Sequence, residues 1–171
     1  MKHKLIDFII EFMEDVNKEL LKVKSRPWFK VEKHIKFAHK FPRIITMGLE
    51  QSGQFLKTAI LHRTDRGQDI NRNTFVAYSS AYAEEKGKSR VDLQDTNRML
   101  QSIDSRVAGR NKVQVYFRSG REATKAFWHQ TGAGNLPVRK FFGYDKKLEN
   151  VIQRNFATFV KKQIRRLGLW V

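Results

Sequence analysis

Residues 66–103 read RGQDINRNTFVAYSSAYAEEKGKSRVDLQDTNRMLQSI, and the fold depends on how this run divides. Its start, together with Thr64 and Asp65, is polar and turn-rich through Asn73. Asp65, Asp69 and Asn71 are oxygen donors, but their spacing departs from a calcium-binding helix-loop-helix and the closing glutamate is missing. A turn that leads Phe75 and Tyr78 into the core is the preferred reading. Ser79 or Ser80 then caps a short helix, and Gly87 stops it. Asp92 or Asp95 caps a further helix through Ile103, with Met99, Leu100 and Ile103 on one face.

Beyond this run, Lys112 to Arg118 alternates with a period of two. That predicts a strand with Val113, Val115 and Phe117 on one side and Gln114 and Tyr116 on the other. Residues 121–131 read as a short helix carrying Ala123, Phe127 and Trp128, and Gly132 to Pro137 as a loop. Asp145 caps a last helix over about 146–167. Its stripe of Leu148, Ile152, Phe156, Phe159, Val160 and Ile164 faces inward, and Lys146, Lys147, Arg154, Lys161, Lys162, Arg165 and Arg166 face outward. Leu100, Phe127, Trp128, Phe141 and Phe156 are expected in one core.

On the N-terminal side, residues 4–24 suit a long amphipathic helix with Leu5, Ile9, Phe12, Met13, Val16, Leu20 and Val23 in one stripe. It reads either as a core helix or as an arm contacting another subunit. Ser25-Arg26-Pro27 ends it. Residues 28–40 fit a strand or a short helix. Pro42 opens a helix over about 43–63, with Ile45, Leu49, Phe55, Leu56, Ala59 and Ile60 inward and Gly48 and Gly53 weakening it. The expected division is a helical region over 1–62 and an α+β core over 63–171, within one domain.

Composition narrows the function. The 171 residues carry 34 basic and 17 acidic side chains, a net charge of +17. Segment by segment this is +6 over 1–64, +1 over 65–111 and +10 over 112–171. Such a field favours a polyanion or a strongly acidic protein surface. The chain has no cysteine, which excludes disulfides, thiol nucleophiles and thiolate metal sites. Residues 1–20 begin like a signal peptide, but Asp7, Glu11, Glu14 and Asp15 interrupt the apolar stretch, so neither a signal peptide nor a membrane span is expected. The five histidines lack zinc-protease spacing, and Asp92, Asp95 and Asp104 read as caps rather than as a nuclease metal set. Gly132-Ala133-Gly134 lacks the Lys-Ser/Thr of a phosphate loop. His129 reads as a hydrogen-bonded packing residue. No catalytic, metal or cofactor site is expected.

The ordered series of Tyr-Ser at 78–79, Leu-x-Asp-Thr at 93–96, Met-Leu at 99–100, His-Gln-x-Gly at 129–132 and Arg-x-Phe-Phe-Gly at 139–143 resembles the neck and tail-completion proteins of tailed bacteriophages, also called phage virion morphogenesis or minor tail proteins. The resemblance covers roughly residues 63–160. The elements read along the chain, with strands supplied partly by the resemblance, sum to an α+β fold, a small, mostly antiparallel sheet with four or five helices, including long N-terminal and C-terminal ones, the N-terminal helix lying outside the shared part. Only one of its strands is visible in periodicity. The matched positions are Tyr78, Ser79, Tyr82, Leu93, Asp95, Met99, Leu100, His129, Gly132, Arg139, Phe141 and Phe142, as determinants of fold and assembly. Asn97 stands where a glycine is common.

The resemblance further implies a non-enzymatic virion protein, assembled in the host bacterial cytoplasm as a ring, most simply a hexamer. Its partners would be a tail terminator or tail-tube protein and a head-tail connector protein. Genome DNA in the channel could meet Lys161, Lys162, Arg165 and Arg166 as phosphate contacts that read no sequence. The same residues could instead meet an acidic protein. The alternative is a stand-alone, sequence-independent nucleic-acid-binding protein that stacks bases on Trp28, Phe29, Phe37, Tyr116 and Phe117.

Overall fold

The computed structural model describes residues 31–167. The helix expected over 4–24 lies outside the described residues, as do Trp28 and Phe29. The elements are α1 (Val31–Asp65), α2 (Ser80–Lys86), α3 (Arg98–Gln101), β1 (Ile103–Val107), β2 (Val113–Phe117), α4 (Gly120–Thr131), a single 3-10 turn (Ala133–Asn135) and α5 (Lys146–Arg166). The class is α+β, as the sequence implies, with five α-helices and a small antiparallel sheet among the described residues.

Contacts divide these residues into two compact units. One comprises residues 31–52, 107–114 and 150–167, the other 53–106 and 115–149. Within α1 the boundary between these units falls after Ser52. The core of the first unit gathers Ile44, Ile45 and Leu49 of α1 with Phe156, Val160 and Ile164 of α5. The core of the second gathers Ile60, Phe75, Val91, Leu93, Met99, Leu100, Ile103, Ala126 and Phe141. The single core expected from sequence is thus two, with Leu100 and Phe141 in one and Phe156 in the other.

Pro42 does not open a helix. It lies inside α1, which already runs through residues 31–40. Proline lacks one donor and clashes with the preceding turn, a cost of about 3 kcal/mol or more in a helix interior. Burial of Ile44, Ile45 and Leu49 just beyond it is the compensating term that a local reading lacks. Gly48 has a packing reason rather than a flexibility one. A Cβ built there would lie 2.8 Å from Cε2 of Phe156 and 3.3 Å from Cδ1 of Phe159, so only hydrogen fits between α1 and α5.

The helix expected from Asp92 or Asp95 through Ile103 shrinks to the four residues of α3, while Ile103 starts β1. Two left-handed residues interrupt the run, Leu93 at φ 54° and Asn97 at φ 57°. Neither aspartate caps α3. Asn97 precedes it with no side-chain capping bond. Asparagine tolerates the left-handed region better than most residues, so it suits a place where glycine would serve. The other caps stand as expected: Ser79 Oγ accepts from the Tyr82 N–H at 3.4 Å, Gly87 closes α2 at φ 66°, and Asp145 Oδ1 accepts from the Leu148 N–H at 2.7 Å.

β1 and β2 form one hairpin. The Ala108 N–H donates to the Lys112 carbonyl and the Arg118 N–H to that of Ser102, both at 2.8 Å. This register sets Ile103 opposite Phe117 and Val107 opposite Val113. Along α5, Leu148, Ile152, Phe156, Val160 and Ile164 are buried, and all seven outward basic residues are exposed. Three aromatics depart from expectation. Phe55 is 39% exposed, Phe127 58% and Trp128 45%. In α4 the buried pair is Glu122 and Ala126, four residues apart, which turns Phe127 and Trp128 away from the core.

Candidate functional site: a tyrosine and arginine cleft

The second unit contains a cleft of about 480 Å³. One wall is the start of α2. Capping by Ser79 fixes this helix, which places Tyr78 and Tyr82 in a T-shaped pair with ring centroids 4.9 Å apart. Lys86, one further turn along, donates to the Tyr78 hydroxyl at 2.9 Å and to Asp92 Oδ1 at 2.8 Å. The Asp92 carboxylate also accepts from Lys88 and from the Gln94 N–H. Burial alone would raise its pKa, but these hydrogen bonds outweigh burial and hold it at about 2. For Lys86, burial works to lower the pKa and is likewise outweighed by Asp92 and Tyr78, so the group titrates above its ordinary range.

The opposite wall is made by the segment after α4. Gly132 at φ 77° ends the helix by donating its N–H to the Trp128 carbonyl at 2.8 Å. A Cβ there would meet Val138 Cγ2 at 2.9 Å and the Leu136 carbonyl at 3.0 Å, so the close return of the chain requires glycine. That return lets the Arg139 N–H donate to the His129 carbonyl at 2.7 Å. Asn135, Leu136 and Pro137 complete this wall.

Arg139 lies at the floor, 4% exposed. Its Nε donates to the Val76 carbonyl at 3.0 Å and its Nη2 to that of Ala77 at 3.1 Å. The guanidinium sits over the Tyr78 ring, 5.2 Å from the centroid. Burial draws its pKa down, yet an arginine remains charged. Among the described residues no carboxylate forms an ion pair with it. His129 beside it is pushed below the ordinary histidine range, by burial first and then by the Arg139 charge. Its Nδ1 is buried with no hydrogen-bond partner among the described residues. The hydrogen-bonded packing histidine expected from sequence is therefore left without a partner at Nδ1.

The rest of the Arg-x-Phe-Phe-Gly run supports the cleft from below. Phe141 is fully buried. Phe142 packs 4.7 Å from the Phe117 ring, and its backbone is gripped in both directions by the Gln130 side-chain amide at 2.9 and 3.1 Å. Arg63 Nη2 reaches the Phe141 and Gly143 carbonyls at 2.7 and 2.9 Å.

Of the twelve matched positions, Tyr78, Ser79, Tyr82, Leu93, Asp95, His129 and Arg139 line this one cleft. Met99, Leu100 and Phe141 are core beneath it, Gly132 makes its turn, and Phe142 is half-buried. Lys161, Lys162, Arg165 and Arg166 belong to the other unit and do not contribute to the cleft. Sequence reading missed Lys86, Asp92 and Arg63 as structural partners. The eight-residue step from Tyr78 to Lys86, about two helical turns, was the available signal for the first; nothing local pointed to Arg63.

The turn at 65–73 also has a clear role. Asp69 Oδ1 accepts from the Asn71 and Asn73 N–H groups, both at 2.8 Å, and Oδ2 accepts from Asn73 Nδ2. This carboxylate closes its own loop. No cluster of three or more metal-ligating side chains occurs among the described residues, and no helix among them is long and apolar enough to cross a membrane. No protein-family model, curated protein or solved structure matches the chain.

Proposed function

We propose that this chain is a structural virion protein of a tailed phage, forming a ring at the neck or head-proximal end of the tail and acting in tail completion and head-tail joining. The observation that supports the reading is the convergence of its motif. Residues dispersed from 78 to 139 meet in one cleft, and the remaining matched positions form its supports. A second feature suits an assembling subunit: α4 presents Phe127 and Trp128 to solvent side by side in sequence, apolar area of the kind that protein interfaces cover. Mass spectrometry of purified particles tests the proposal. The chain is expected in intact virions, and its absence from them defeats the reading. Native mass spectrometry of the isolated protein is expected to give a closed ring, most simply of six copies.

The alternative, a stand-alone nucleic-acid-binding protein, draws on one observation. Lys161, Lys162, Arg165 and Arg166 are all exposed and make no ion pair with any described residue. A stable monomer whose DNA affinity falls steeply with salt would favour it. Salt-insensitive rings would favour the virion reading.

A further inference from the structure

The floor and rim of the cleft differ in charge, and the difference restricts what can enter. Lys86 is paired with Asp92 at 2.8 Å, a carboxylate it shares with the exposed Lys88. His129, kept neutral, adds no cation. Among the described residues that line the cleft, Arg139 is the one cation without a carboxylate partner, held by two neutral carbonyls and the face of Tyr78. Its Nη1 makes no hydrogen bond with any described residue, so donors remain for a ligand. At the rim stands the exposed carboxylate of Asp95. The walls between are apolar and aromatic: Tyr82, Leu93, Leu136 and Pro137.

A nucleic-acid strand presents a phosphate at every step and needs a row of cations. Here one cation without a carboxylate partner suits one anionic group, and the Asp95 carboxylate weighs against each further phosphate along a strand. A protein segment with one carboxylate between apolar side chains fits better, because that carboxylate would compensate a guanidinium whose burial without a counter-charge is otherwise unfavourable. Flanking side chains would cover the exposed part of Tyr82 and the Pro137 wall.

We propose that this cleft is a docking site for a segment of a partner protein that inserts a single Asp or Glu side chain onto Arg139. The proposal goes beyond the virion reading and holds for whichever assembly supplies the partner, since its test uses the isolated chain.

The test is an NMR titration of the full-length protein with a mixture of end-capped tripeptides. Each has a central glutamate flanked by leucine, phenylalanine or proline; a matched mixture carries glutamine instead. The glutamate peptides are expected to shift the Arg139 Nε–H, His129 and the Tyr78 and Tyr82 ring resonances, with at least tenfold weaker binding for glutamine. An oligo-deoxythymidine is expected to leave these resonances in place. Tyr82→Ala, at a 40% exposed position, is expected to keep the fold and weaken the glutamate peptides several-fold. Arg139→Lys, with folding checked by circular dichroism, is expected to weaken them more. Equal binding of the two mixtures, no response to glutamate peptides at millimolar concentration, or occupation of the cleft by the oligonucleotide would each overturn the proposal.

Discussion

At the scale of single residues, the cleft rests on a buried ion pair whose contribution depends on pH. Asp92 and Lys86 are 4% and 11% exposed at their side chains. The Asp92 pKa lies at about 2 in the fold against 3.8 for an unperturbed aspartate. A depressed carboxylate contributes stability that is fully present above about pH 4 and is lost as pH falls through about 2, a contribution on the order of 2 kcal/mol. Acid unfolding followed by circular dichroism should show this loss, and Asp92→Asn should remove it from the profile. At neutral pH the same substitution leaves Lys86 charged and buried, so a cost of about 3–5 kcal/mol is expected. Gly48 gives a second test. Alanine in a helix interior gains about 1 kcal/mol over glycine, but the Phe156 ring stands 2.8 Å from the new Cβ with Phe159 beside it. Overpacking costs about 1–3 kcal/mol, so Gly48→Ala should lower the thermal midpoint. A raised midpoint would show that the two rings yield easily.

At the scale of elements, what the sequence revealed and what it hid have physical causes. α5 was legible because 21 residues hold one period and Asp145 stands at its start. α2 was legible because serine and glycine mark both ends. α3 was not, since the conformations that shorten it belong to Leu93 and Asn97, and leucine carries no local signal for a left-handed backbone. Pro42 misled because a local rule was outweighed by burial further along α1. The cleft was legible only as a set of residues: the motif named seven of its lining positions, but periodicity does not report that 78–82 and 129–139 meet. For α5 itself, replacing Lys161, Lys162, Arg165 and Arg166 together with glutamine should leave a folded subunit, less each charge's 0.3–1 kcal/mol interaction with the helix end. If these residues contact phosphates, the slope of log affinity for DNA against log salt should fall by about 3 to 4. On the proposed virion reading, tails should then join DNA-filled heads poorly. Unchanged DNA binding and normal joining would leave the charges as helix-end and solubility chemistry.

At the scale of the whole molecule, two separate cores make a specific demand on energetics. Ile60 is 1% exposed in one core and Ile164 3% in the other. Shortening either to valine should cost about 0.5–1.5 kcal/mol. Because the two residues share no core neighbour, the double variant should equal the sum of the singles within about 0.5 kcal/mol in denaturant titration. A larger discrepancy would mean that the cores are coupled. The outward turn of α4 has an optical consequence too. The chain has three tryptophans, of which Trp128 alone falls within the described residues, and it is 45% exposed. With Trp28 and Trp170 replaced by phenylalanine, the remaining indole should emit at the long wavelengths of a water-exposed ring. Any subunit contact that covers α4 would shift that emission to the blue and lower its quenching by iodide. The protein would thus report its own association as a colour change, at concentrations and salt conditions set by the experimenter and without an added dye.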